Sequence, residues 1–100
     1  MIDKRKFYIN GQWVSPSKPN DYEVINPSTE EVFATISLGS TEDTNAAVSA
    51  AKKALVSWSE SSKDERLNLL EKLLSIYKKR YGEMADAISM EMGAPMDWAT

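Results

Sequence analysis

The sequence contains no cysteine and no histidine. Without cysteine it has neither a disulfide framework nor a thiolate nucleophile, and without histidine it lacks the most common general base. The two absences together also exclude zinc sites built from thiols or imidazoles. Hydroxyls, carboxylates, lysines and tyrosines are left for chemistry, so we do not expect these 100 residues to form an enzyme by themselves.

Long apolar runs and an excess of positive charge are missing as well. No run approaches the roughly 18 apolar residues that a membrane helix needs, and residues 1–6 lack the apolar core of a secretory signal. The formal net charge of -3 argues against nucleic acid as a partner, because phosphate binding needs clustered Lys and Arg. We therefore predict no membrane and no nucleic-acid binding, and a cytoplasmic location.

The most regular feature of the sequence is an amphipathic helical run over residues 62–93. Ser62 and Glu65 form a capping box at its start. Gly82 interrupts the run and predicts a kink, or a break into two helices whose buried faces still align. The apolar side chains that share the predicted core-facing stripe are Leu67, Leu70, Leu73, Leu74, Tyr77, Tyr81, Met84, Ala85, Ile88 and Met92.

Residues 7–14 are typical of a tight β-hairpin. Asn10-Gly11 is the pair that tolerates the two positive φ angles of a type I′ turn. A two-residue loop fixes the register, so Tyr8 lies opposite Trp13. Both faces of this ribbon are apolar, and we expect it to need cover on both sides.

Residues 22–25 and 32–36 predict a second hairpin, and the first of these strands ends at Asn26-Pro27 because proline offers no N–H to the ladder. A helix with a mostly alanine face follows, capped by Ser40 and Asp43. Short strands over about residues 7–37 and helices over about residues 41–93 would by themselves indicate an α+β arrangement. We see no internal domain boundary.

The last residues predict the start of a further helix. Gly93 suits the position after a helix, and Pro95 suits the first position of the next one. A helix of about six residues is too short to be stable in water. We therefore expect the sequence to stop inside an element and to belong to a longer chain, with Trp13 and Trp98 uncovered by their own residues.

Four blocks of the sequence together resemble the amino-terminal part of the aldehyde dehydrogenase superfamily: residues 7–14, 24–32, 47–58 and 91–95. They occur in the family's order, although Ala94 stands where the family often has Lys. The resemblance implies an α/β fold in which residues 1–100, amino-terminal β-hairpins followed by helices, form the first part of a Rossmann-type cofactor-binding domain. The family also has a catalytic domain and an oligomerisation arm.

The resemblance implies part of an oxidoreductase that converts an aldehyde to a carboxylic acid, or to an acyl thioester in some branches, with NAD or NADP as hydride acceptor. The family's catalytic cysteine, oxyanion site and glutamate match no position here, so no catalytic or cofactor-binding residue is assigned. The implied partners are the remainder of the polypeptide, a small aldehyde and further copies in a homo-oligomer.

Some members of the family hold K+ or Na+ with backbone carbonyls and a carboxylate. The matching positions are Val24, Ile25 and Glu91, which the resemblance therefore implies as a monovalent cation site. The helical phase places Glu91 on the flank of the apolar stripe, where a carboxylate needs a partner. The alternative is that Glu91 reaches water at a helix end or bonds a nearby backbone N–H.

Two further alternatives concern function. The chain could act alone as a non-catalytic binding or assembly module that docks through the residue 7–14 hairpin. The acidic pairs Glu30-Glu31, Glu42-Asp43 and Asp64-Glu65 have the composition of acid/base couples, but each is predicted at a turn or helix start, where capping and solvation explain it.

Overall fold

The computed structural model describes all residues, Met1–Thr100. It contains five strands and four helices: β1 (Ile2–Lys4), β2 (Phe7–Ile9), β3 (Gln12–Val14), β4 (Asp21–Asn26), β5 (Glu31–Ser37), α1 (Thr41–Trp58), α2 (Lys63–Lys79), α3 (Tyr81–Met92) and α4 (Met96–Ala99). The predicted order of strands followed by helices is confirmed. The residues form two compact units, one made of Met1–Ile25 and Val32–Ser59, the other of Asn26–Glu31 and Glu60–Thr100.

The hairpin of β2 and β3 in the first unit has the predicted register. Tyr8 pairs with Trp13 in an antiparallel ladder, and the two ring centroids lie 5.2 Å apart. Asn10 and Gly11 have φ angles of 53° and 75°, as the type I′ turn requires. The side of the ribbon that carries Tyr8 and Trp13 is exposed, while α1 contacts β2.

The second sheet has the strand order β1-β5-β4. Its hairpin of β4 and β5 was predicted, but β1 was not. Ile2 of β1 pairs in parallel with Ala34 of β5. A three-residue strand with two charged residues carries no alternation that a sequence pattern could reveal, and its partner lies about thirty residues away, which explains why it escaped prediction.

The long helical run of the second unit is broken, as predicted, but the position of the break differs. Gly82 is the second residue of α3. The break lies at Arg80 (φ -104°, ψ 13°), whose N–H donates to both Ile76 and Tyr77. Arg80 also pairs with Glu83 in the first turn of α3, at an Nε–Oε2 distance of 2.6 Å.

The predicted buried face of this run is wrong for α2. No residue of α2 is buried, and Leu70 is 60% exposed. In α3 the face is covered at Ala85, which is 3% exposed and is with Ala34 one of two buried apolar residues. The physical reason is that no element of this chain covers the leucines of α2, although α2 contacts α3.

The carboxyl-terminal residues follow the predicted signals with one difference. Gly93 is left-handed, with φ 74°, and its N–H donates to the Ser89 carbonyl. Pro95 is the residue that caps α4, rather than its first helical residue. Trp98 is 83% exposed, and the Tyr81 hydroxyl donates to the Thr100 carbonyl.

No helix of the chain combines the length and the apolar character that crossing a membrane requires.

Candidate functional site

The three predicted cation ligands belong to different parts of the structure. Val24 and Ile25 are neighbours on β4, the first half-buried and the second exposed. Glu91 is the penultimate residue of α3 and is exposed, not on a buried flank, because the residues of this chain that lie against the end of α3 do not cover its side chain. Val24 and Ile25 lie in the first unit and Glu91 in the second, so the cation site stays a prediction.

The turn that follows Ile25 is fixed by Asn26. The Asn26 carbonyl accepts from the Glu30 N–H at 2.8 Å, and its side-chain Oδ1 accepts from the Ser28 N–H at 2.9 Å. Glu30 takes a left-handed φ of 60° to close this turn. Asn26 therefore ends the strand with both its backbone and its side chain, which adds a second cause to the predicted effect of Pro27.

Gly93, at the end of α3, packs closely against this turn. A Cβ atom at Gly93 would lie 2.9 Å from Cγ of Pro27 and 3.8 Å from Oγ of Ser28. Both the close approach and the positive φ therefore require glycine. The sequence predicted the left-handed helix end, whereas the contact with Pro27, 66 positions earlier, has no local signal.

A connected cluster of polar side chains surrounds Asp43 at the start of α1. Its Oδ1 accepts from the Ser17 N–H, and its Oδ2 accepts from the Ser40 N–H and the Ser40 hydroxyl, each at 3.0 Å. The hydroxyls of Ser17 and Ser40 lie 2.6 Å apart. Asp43 is only 9% exposed, so this carboxylate ties residues 15–20 to the first turn of α1.

Hydrogen bonds set the protonation of this cluster. The backbone N–H groups of Ser40 and Ser17 hold the pKa of Asp43 below its ordinary value. The pKa of Glu42 is lowered by its own backbone N–H, then by the Ser40 hydroxyl and by Lys18, whose Nζ lies 3.4 Å away. Both carboxyls therefore stay ionised as acceptors. The prediction that Glu42-Asp43 caps a helix is confirmed.

The other two acidic pairs also occupy the predicted structural positions. Ser62 and Glu65 form the capping box of α2, with Asp64 in the same first turn. Glu30 lies in the turn before β5, which begins at Glu31. The chain has no group of three or more His, Cys, Asp or Glu residues that could hold a metal ion.

The residues of this chain do not fit a dinucleotide. Its four glycines are Gly11, Gly39, Gly82 and Gly93, which are too far apart to form the glycine-rich turn that receives a pyrophosphate. With no cysteine there is also no thiolate to attack an aldehyde carbon. The polar contacts of this chain cap its helices and hold its turns in place.

Sequence comparison connects these elements to a known family. The profile of the aldehyde dehydrogenase family matches residues 13–100. The 3-succinoylsemialdehyde-pyridine dehydrogenase of Pseudomonas sp is 49% identical over 96 residues, which are 96% of this chain and 20% of that protein.

Solved structures agree with the sequence match. An aldehyde dehydrogenase from Bartonella henselae superposes with a TM-score of 0.97 and 60% identity, over 99% of this chain and 21% of that one. A mutant of aldehyde dehydrogenase C from Pseudomonas syringae, in complex with NAD+ and octanal, gives 0.92 and 41%, over 95% and 20%. The chain thus spans about a fifth of the length of these relatives. The resemblance predicted from the four sequence blocks is confirmed.

Proposed function

Because the chain belongs to the aldehyde dehydrogenase family, we propose that it forms the amino-terminal part of the cofactor-binding domain of an oxidoreductase that oxidises an aldehyde to a carboxylic acid. In this proposal NAD or NADP accepts the hydride, and these 100 residues contribute structure and no catalytic group. The observation that carries the proposal is the agreement of the fold with the corresponding fifth of the Bartonella henselae enzyme.

The cofactor and substrate of the proposed reaction follow from the relatives. The aldehyde dehydrogenase C of Pseudomonas syringae was solved with NAD+ and octanal, and the relative from Pseudomonas sp is named for a pyridine-bearing semialdehyde. NAD is accordingly the first cofactor to test, and a small aldehyde is the substrate class. The dinucleotide would be bound by residues outside this chain, since no glycine-rich turn is present here.

The proposed partner is the rest of an aldehyde dehydrogenase subunit. The absence of any buried residue in α2 supports this, because a 17-residue helix with many leucines gains little from folding unless another surface covers it. The exposed Trp98 has the same need. We also propose that the complete enzyme is a homo-oligomer located in the cytoplasm.

A chimeric enzyme tests the structural role. This chain would replace the matching amino-terminal fifth of the Bartonella henselae enzyme, and the chimera should keep NAD+-dependent oxidation of an aldehyde. The 100-residue chain alone should give no NADH above a blank. A chimera that folds but has lost activity, or turnover by the chain alone, would contradict the proposal.

A matched pair of variants makes the chimera more informative. Gly93→Val should disrupt the turn that carries Pro27, because a side chain at this position meets the proline ring, and should lower the yield of folded chimera. Gly82→Ala should be neutral or favourable, since a Cβ atom there meets nothing within 4 Å. If the two variants change the yield of folded chimera equally, the contact between Gly93 and Pro27 has no role in assembly.

The exposed aromatic pair Tyr8 and Trp13 favours a second candidate, the stand-alone assembly module. It predicts that the isolated chain forms a defined complex through the β2-β3 hairpin. Trp13→Ser should abolish this complex in sedimentation experiments and leave the chimera active. Under the first proposal, self-association of the isolated chain has no fixed stoichiometry.

A monovalent cation site at Val24, Ile25 and Glu91 remains part of the proposal. The support inside the second unit is that Pro27, two positions after Ile25, contacts Gly93, two positions after Glu91. Carbonyl and carboxylate oxygens suit a hard cation. Crystals of the chimera grown with rubidium should show an anomalous peak near the Glu91 carboxylate that disappears in Glu91→Gln. No peak in the parent chimera would remove the site.

A further inference from the structure

The amino-terminal residues line a surface cavity that is about half open to solvent and that nothing in the proposed function uses. It measures about 280 Å³ and is lined by Asp3, Lys4, Arg5, Lys6 and Trp13, all in the first unit. Four of these residues precede the segment that the family profile matches, which begins at residue 13.

One wall of the cavity is held in place by ionic hydrogen bonds. The Arg5 guanidinium donates to both carboxylate oxygens of Asp3, at 3.0 and 2.9 Å, and to Oδ2 of Asp21 at 3.3 Å. The hydrogen bonds from Arg5 lower the pKa of Asp3 to about 2. Arg5 and Asp3 are thus engaged with each other at neutral pH and define the wall rather than a binding group.

The two lysines of the cavity are not engaged in this way. Neither the Lys4 ammonium nor the Lys6 ammonium forms a salt bridge, although the charge of Lys6 contributes to the lowered pKa of Asp3. Three cations and one carboxylate therefore line the cavity. In a chain with a net charge of -3, this local excess of positive charge favours an anion.

The opposite wall is an exposed indole. Trp13 is 66% exposed, and its ring is supported from one side by Tyr8 in a tilted arrangement. An aromatic ring that is held by a neighbour but open to solvent can stack with a planar ligand. Ammonium groups near an indole add attraction for the acidic group that such a ligand carries.

We propose that this cavity binds a small aromatic anion, a planar ring with one phosphate, whose ring stacks on Trp13 and whose phosphate lies between Lys4 and Lys6. The volume of about 280 Å³ lies just below the roughly 300–1,000 Å³ of ligand pockets, so the cavity is too small for a dinucleotide and suits a ligand no larger than a mononucleotide. The proposal does not depend on the aldehyde dehydrogenase activity.

The test is a titration of the 15N-labelled chain with adenosine 5′-monophosphate, followed by NMR at the three tryptophan indole N–H signals. We expect a saturable shift of the Trp13 signal, with the Trp58 and Trp98 signals unchanged. Adenosine lacks the charge and should bind at least about tenfold more weakly, because a hydrogen bond to a charged group is worth about a decade in affinity. Inorganic phosphate lacks the ring and should also bind at least about tenfold more weakly, because it loses the stacking on the indole.

Matched lysine variants separate a site from general charge attraction. Lys4→Gln/Lys6→Gln should weaken binding about tenfold or more, whereas Lys52→Gln/Lys53→Gln removes the same charge from the exposed surface of α1 and should change nothing. All four lysines are exposed, so both variants should fold. No saturable shift at Trp13, equal binding of phosphate alone, or an equal effect of the two double variants would overturn the proposal.

Discussion

Replacing Gly93 with alanine should destabilise the second unit for two separate reasons. The φ angle of 74° is left-handed, and an L-residue with a Cβ atom costs about 1–2 kcal/mol there. The new Cβ would also lie 2.9 Å from Cγ of Pro27, well inside the usual carbon–carbon separation of about 3.5–4.0 Å. A proline ring cannot rotate away, so the turn must move.

The expected size follows from adding the two effects. Overpacking costs typically about 1–3 kcal/mol, and the low end applies here because Pro27 and Ser28 lie in an exposed turn and not in a packed core. Together with the backbone term, Gly93→Ala should lower the free energy of unfolding by about 2–3 kcal/mol. Urea denaturation monitored by far-ultraviolet circular dichroism measures this, because α2 and α3 supply much of the helical signal.

A glycine elsewhere in the second unit serves as the control. Gly82 lies inside α3 and a Cβ atom there meets nothing within 4 Å. Gly82→Ala should therefore raise the free energy of unfolding by up to about 1 kcal/mol. Gly93→Asn separates the two costs, since asparagine tolerates the left-handed region but still carries the Cβ atom. If Gly93→Ala lowers the free energy of unfolding by less than about 0.5 kcal/mol, the contact between Gly93 and Pro27 does not hold the turn in place.

Three further changes test the remaining structure. Ser40→Ala removes the cap of α1 and should lower the free energy of unfolding by about 1 kcal/mol. An unchanged midpoint of thermal denaturation would show that the capping box of Ser40 and Asp43 does not stabilise the fold. Because the pKa of Asp43 is lowered from 3.8, its carboxylate stabilises the fold above that pH and loses this contribution as the pH falls through the folded-state pKa. Asp43→Asn should therefore be less stable than the parent chain at neutral pH and lose less stability on acidification below about pH 4; parallel pH profiles would refute the assignment. Leu70→Lys on the uncovered α2 should change stability by no more than about 0.5 kcal/mol and reduce self-association in sedimentation velocity, whereas a large loss of stability would show that α2 is buried after all.

The features that the sequence predicted correctly depend on neighbours in the chain. The turn at Asn10-Gly11 follows from two adjacent residues that tolerate positive φ, and the box of Ser40 with Asp43 joins residues three positions apart. In each case the interaction energy is gained locally, so residue type and spacing determine the outcome.

The features that escaped prediction involve residues far apart in the sequence. The Ser17 N–H reaches Asp43 across 26 positions, and β1 finds its partner in β5. Spacing alone does not reveal such pairings, since they depend on which elements meet.

The helical phase of α2 indicates how much of this helix must be covered in a complete subunit. Leu67 and Leu74 lie on one side of this helix, and Leu69 and Ile76 lie on the opposite side at 100° per residue. All four are about half exposed. A single partner helix covers a narrower arc than this, so α2 requires cover from more than one direction. Only a core larger than two packed copies of a helix provides that, which favours the embedding of this chain in an aldehyde dehydrogenase subunit over a simple helical dimer.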